Sequence, residues 1–193
     1  MKALTIGHSR HSTEHLLKLL ESHSIRVVVD VRSAPYSRIA PQYDLDDFKN
    51  SLKKSGFNYV YVGQELGGRP AGKEFYDDKG RVLYYKVAKT RKFLSGIHRL
   101  LKGIKTSRIA ILCSEEDPKN CHRRLLVGRV LSEYGITVEH LRGDGRIQSE
   151  VEINSEGRPN GDQLALFKNS ENEKWKSTQS VLQKKQLKNF LRS

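Results

Sequence analysis

Short apolar runs alternate along the first 140 residues with segments whose apolar positions recur at helical spacing. Residues 3–6 form the first run. Over 13–23, Leu16, Leu17, Leu19 and Leu20 make a helical stripe, with Ser12 or Thr13 as N-cap. Residues 26–31 contain Val27-Val28-Val29-Asp30-Val31, a β-branched run typical of a central parallel strand. A helix over 45–55 closes at Gly56, and 57–62 reads as a third strand. A helix over 86–102 precedes a strand over 108–113. A helix over 121–134, stopped by Gly135, precedes a strand over 137–141. This order predicts an α/β fold of three layers, a mostly parallel sheet of about five strands with helices on both faces. From about Gly143 the periodicity is lost. Gly157-Arg158-Pro159-Asn160-Gly161 reads as a linker. The expected organisation is therefore an α/β domain over 1–145 and a basic extension over 146–193.

Composition adds a partner class. The 193 residues carry a formal net charge of +13, which favours polyanionic partners, with DNA the expected one. Residues 168–193 contain seven Lys/Arg against two Glu. That tail reads as either a short amphipathic helix over 181–191 or a disordered segment. No apolar run is long enough to span a bilayer, and the first seven residues are too short for a signal sequence. The two cysteines make no disulfide framework. These features predict a cytoplasmic protein without membrane association, nucleoid-associated if it binds DNA.

Parallel sheets put ligands at the carboxyl ends of their strands, and all five ends here are polar. The segment 112–124 stands out, with both cysteines, three acids, His122, Arg123 and Arg124 between a strand and a helix. Glu115 is the best-placed acid, while Asp117-Pro118 reads as an N-cap and first helical residue. Cys113 and Cys121 keep four readings open: core packing, a nucleophile beside His122, a metal site, or a redox pair. Their spacing matches no familiar zinc motif, so no metal or other cofactor is expected from it. His8 suits acid–base chemistry or a helix cap. Asp30 is either catalytic or ion-paired to Arg32 or Arg38. Gly67 and Gly68 allow close approach of a ligand or make a turn. Arg69 and Arg123 suit phosphate, and Tyr36 and Tyr43 suit base stacking or loop packing. Arg32, Arg38, Gln42, Cys113 and Cys121 complete the expected substrate- and phosphate-contacting set, with Glu115, His122, His8 and Asp30 as the catalytic candidates.

Together these motifs resemble the DUF488 family. The resemblance rests on Thr5-Ile6-Gly7-His8-Ser9, Asp30-Val31-Arg32-Ser33 with Pro35 and Ser37, Pro41-Gln42-Tyr43, Glu65-Leu66-Gly67-Gly68-Arg69, and Leu112-Cys113 with Glu115, Pro118 and Cys121-His122-Arg123. It implies a compact α/β domain with these residues as its site, and it assigns no activity. In the extension, Gln163-Leu164-Ala165-Leu166-Phe167 resembles the bacterial sliding-clamp-binding pentapeptide. In such peptides the Leu-Phe pair fills an apolar pocket and the Gln is held by hydrogen bonds. Gln163, Leu164, Leu166 and Phe167 are the partner-binding candidates, against the plainer reading of apolar residues packing on the domain.

The expected function is a DNA-associated hydrolase acting in repair or on modified bases, with base excision favoured because no acidic metal cluster is visible. The alternatives are a non-enzymatic adaptor binding DNA and clamp, and a cysteine-dependent transferase of rhodanese-like type. In the latter, Glu115, Glu116 and Asp117 are expected to repel a thiolate. A pull-down with immobilised sliding clamp should retain the wild-type chain and lose Phe167→Ala; equal retention of both would refute the peptide assignment.

Overall fold

The apolar runs pair into one six-stranded sheet in the computed structural model, which describes residues 1–156 and 175–182. The strands are β1 (Lys2–Gly7), β2 (Val27–Asp30), β3 (Asn58–Tyr61), β4 (Ile109–Cys113), β5 (Thr137–Leu141) and β6 (Ile147–Ser149). Their order is β3-β2-β4-β1-β5-β6. Every pairing is parallel except the last, where β6 runs antiparallel to β5. The helices are α1 (Thr13–Ser22), α2 (Leu45–Lys54), α3 (Gly63–Leu66), α4 (Tyr84–Val87), α5 (Arg91–Thr106), α6 (Arg129–Glu133) and α7 (Glu150–Ser155).

Alternation along the strands sorts the core into two layers. Ala3, Ile109, Ile111 and Val138 pack on one face with Phe93, Ile97 and Leu100 of α5 and Leu126 and Val130 beyond it. Leu4, Ile6, Ala110 and Leu112 pack on the other with Leu16 and Leu20 of α1 and Phe48 and Leu52 of α2. The three-layer α/β expectation is met, with a sixth strand added. That strand lies just past Gly145, where the hydrophobic pattern stops being readable.

Two expected helices differ in detail. The helix expected over 86–102 is interrupted, because the Thr90 hydroxyl accepts a hydrogen bond from Phe93 N and starts α5 afresh. The helix expected over 121–134 opens as a π-helical segment, Arg123–Gly128, before α6. Such wide turns concentrate at functional sites. Ser12 is the N-cap of α1, accepting from His15 N. Among the described residues no helix is long and apolar enough to cross a membrane.

Residues 175–182 return to the domain as a strap. Trp175 Nε1 donates to Leu125 O at 2.7 Å, and the Arg129 guanidinium lies 4.3 Å over the indole. Ser177 N donates to Val82 O and Val181 N to Gly80 O, tying the strap to the loop before α4. Gln163, Leu164, Leu166 and Phe167 lie outside the described residues, as does 183–191 of the expected tail helix.

The carboxyl ends of β1 and β4 are locked side by side: His8 N donates to Cys113 O and Ser9 N to Ser114 O. A Cβ on Gly7 would fall 1.8 Å from the Glu115 carbonyl oxygen. Gly7→Ala should therefore push the 114–116 loop outward and destabilise the fold by about 1–3 kcal/mol, read from urea unfolding; wild-type stability would refute this close packing.

Candidate functional site

The ends of β1, β2 and β4 open onto one cleft of about 550 Å³. Its lining includes His8, Arg32, Tyr36, Gly68, Arg69, Cys113, Glu115, Cys121 and His122, with residues 177–182 of the strap. A strand-edge position of this kind is where parallel α/β sheets bind ligands.

Cys113 ends β4 and is buried, as is Cys121. His122 Nε2 lies 3.0 Å from the Val31 carbonyl oxygen, which can only accept. Nε2 therefore carries a proton, and in the neutral ring Nδ1 presents its lone pair. That Nδ1 lies 3.6 Å from Cys113 Sγ and 4.0 Å from Cys121 Sγ. The Cys113 thiol is brought down to about 7, chiefly by a hydrogen bond from Cys121. Burial opposes this; the Arg123 charge and the backbone N–H groups of Ser114 and Glu115 reinforce it. Cys121 moves the other way, raised by burial and by donating to Cys113. The donor atoms of Cys113, Cys121 and His122 all lie within 4.8 Å of one another. They form the one such metal-capable group found among the described residues.

Of the three neighbouring acids, Glu116 is the one paired with a cation among the described residues. Glu116 is held at about 2 chiefly by its hydrogen bonds from Arg142, whose Nε and NH2 approach its two oxygens at 2.9 and 2.7 Å. Asp117 caps the short turn Pro118–Asn120 by accepting from Lys119 N. Glu115 is exposed on the cleft wall, and its side chain has no partner among the described residues.

Asp30 and Arg32 settle into a buried ion pair. Arg32 NH2 lies 2.6 Å from Asp30 Oδ2, Arg32 Nε lies 3.0 Å from both oxygens, and Tyr59 OH donates to Oδ2 at 2.7 Å. With its oxygens so engaged, Asp30 positions Arg32 and cannot also activate a water. Arg32 NH1 donates to His8 Nε2 at 3.2 Å. His8 Nδ1 then donates to Ser9 O at 2.9 Å. Both ring nitrogens are occupied, and the ring stacks on Tyr43 with centroids 4.1 Å apart. His8 is a fixed, neutral support for Arg32, where acid–base service was expected.

Other expected residues separate from the cleft. Tyr43 is wholly buried and donates to Ser12 O, so it offers no face to a base. Gln42 donates to His11 O, and Arg38 is exposed away from the cleft lining. Arg123 was expected at a phosphate, yet it is fully buried. Its guanidinium donates to the carbonyls of Glu115 and Glu116 and, through Nε, to Thr5 Oγ1. Arg124 is spent on Glu150 and Asn154. Gly67 packs against Ser33, which accepts from Arg69 N at 2.9 Å. Gly68 makes room for His122: a Cβ there would meet its ring at 2.6 Å. Tyr36 and Arg69 remain exposed on the cleft wall, as expected of ligand-contacting groups.

Sequence reasoning missed Tyr84 and the strap as cleft walls. Trp175, the single tryptophan, in a polar tail was the available signal. It also missed His140, which is buried between Thr5 Oγ1 and Glu150 Oε1 at 2.7 and 2.9 Å.

The His8 environment has a consequence for stability. Burial, aided by the Arg32 charge, lowers its pKa to about 4, whereas an unfolded histidine protonates near the ordinary 6.5. Between those values the unfolded chain binds more protons, so stability falls as pH drops through this window, by about 3 kcal/mol for this one group. Urea midpoints measured from pH 7 to 4 should show the loss, and His8→Gln should flatten it. An unchanged slope in His8→Gln would refute the neutral, buried assignment.

The curated proteins and the solved structures give no match to this chain. A family model described as "Domain of unknown function DUF488" matches residues 12–130. With more than half its length matched, and with the motifs of that match walling the cleft, the chain belongs to the DUF488 family.

Proposed function

We propose that the protein is a hydrolase acting on a nucleic acid, removing a base in preference to cutting the strand. One observation carries the reading. A single cleft places the Cys113, Cys121 and His122 cluster together with an unengaged carboxylate, Glu115, and with Arg32, Arg69 and Tyr36. The exposed Arg69 guanidinium suits a phosphate, an exposed tyrosine suits a stacked base, and a carboxylate suits activation of water. The volume suits one extruded nucleotide better than a duplex. Strand cleavage by metal ions draws on clustered carboxylates. Here Asp30 is consumed by Arg32 and Tyr59, and Glu116 by Arg142. The net charge of +13 supports attraction to DNA, and the Gln163-Leu164-Ala165-Leu166-Phe167 peptide supports delivery by a sliding clamp.

A second reading rests on the 3.6 Å approach of His122 Nδ1 to Cys113 Sγ. With Val31 O orienting the ring, this is the arrangement of nucleophile, base and orienting group used in covalent catalysis. It supports a cysteine-dependent transferase, with Cys113 carrying the transferred group.

Oligonucleotides bearing damaged or modified bases decide between them. Wild-type protein should release a base, and Glu115→Gln should do so about 100-fold more slowly. A substrate-derived adduct on Cys113, seen by intact-mass spectrometry and unaffected in Glu115→Gln, would favour the transferase. DNA binding without turnover of any substrate would refute both and leave the adaptor.

A further inference from the structure

The Cys113, Cys121 and His122 cluster has a geometry that packing does not require. Zinc–sulfur bonds of about 2.3 Å and zinc–nitrogen bonds of about 2.0–2.1 Å at tetrahedral angles put sulfur and nitrogen ligands about 3.6 Å apart. Cys113 Sγ and His122 Nδ1 are separated by 3.6 Å, and Cys121 Sγ and the same nitrogen by 4.0 Å. Histidines that bind metal donate their other ring N–H to a carboxylate or carbonyl, which fixes tautomer and ring orientation. His122 does this through Nε2 to Val31 O. Gly68, by lacking a Cβ, makes room for the imidazole in that orientation.

We infer that Cys113 Sγ, Cys121 Sγ and His122 Nδ1 bind one Zn²⁺, with its fourth coordination position open to the cleft. Two thiolates and one imidazole match zinc's preference for mixed sulfur and nitrogen ligands in a tetrahedron. The charges also close: a dication with two thiolates is neutral, so the buried sulfurs are deprotonated without leaving net charge in the interior. Three protein ligands and one exchangeable position are the pattern of catalytic zinc, whose fourth ligand is water or substrate. The two cysteines stand eight positions apart and the histidine adjoins the second. The site is therefore assembled by a strand end and the two residues that precede the π-helical segment, and no short spacing motif announces it. Its chemical role rests on the hydrolase reading; its existence does not.

The test uses the full-length chain without an affinity tag. Elemental analysis after dialysis against metal-free buffer should return one zinc per chain. Replacement by Co²⁺ should give a thiolate-to-cobalt charge-transfer band and the visible bands of a tetrahedral ion. Cys121→Ser and His122→Ala should lose the metal. Gly68→Ala keeps all three ligands but displaces the imidazole, and should weaken zinc about 10–100-fold, as loss of outer support does elsewhere. Should the ligand variants unfold, the cobalt spectrum of the wild type and the Gly68→Ala affinity still decide. Wild-type protein that binds neither zinc nor cobalt while both thiols react freely in the folded state would overturn the site and leave the hydrolase reading standing. Bound zinc without turnover of any oligonucleotide would uphold the site and remove the hydrolase reading.

Discussion

The guanidinium of Arg123 holds the cleft in shape. It enters from the π-helical segment, fully buried, and grips the carbonyls of Glu115 and Glu116 from beneath. Burying a charge is costly unless its donors are satisfied, and this loop supplies the acceptors. The same contact keeps a positive charge beside Cys113 and sets the backbone from which Glu115 projects. Thr5 passes the interaction onward: it accepts from Arg123 and lies against His140, which meets Glu150, which binds Arg124. One polar thread thus runs from the floor of the cleft through the sheet to α7.

A second buried pair serves the opposite wall. Asp30 orients Arg32, Arg32 fixes the tautomer of His8, and His8 stacks on Tyr43. Asp30 and His8, two residues of catalytic type, are thereby turned into scaffolding. The Arg32 guanidinium and the Tyr59 hydroxyl leave them no free lone pair to offer, while Glu115 and the sulfur cluster keep theirs. The division between supporting and reactive groups follows from which polar atoms are already satisfied.

Much of this was legible in the sequence. The strands were readable because each is a short apolar run bounded by polar residues, and the site followed from where parallel strands end. Cys113, Glu115, His122, Arg69 and Tyr36 were placed in one cleft on that ground alone. Roles were harder to read. A charged residue such as Arg123 looks solvent-facing until its acceptors, which are backbone carbonyls, are seen. Asp30 reads as either catalytic or ion-paired, and the fold of Arg32 back onto its carboxylate, with Tyr59 from the neighbouring strand, decides. The strap carried almost no pattern, since backbone hydrogen bonds and one indole hold it where no apolar stripe exists.

Family relationship and structural integrity divide this chain differently. The family match begins at residue 12 and stops at 130. Yet β1, which lies between β4 and β5, precedes it, and β5, β6 and the strap follow it. A fragment cut to the matched length would lose an interior strand, leave β4 with a bare edge and remove one wall of the cleft. Homology here marks where the chemistry is written, while the polypeptide needed to hold it in shape extends past both borders.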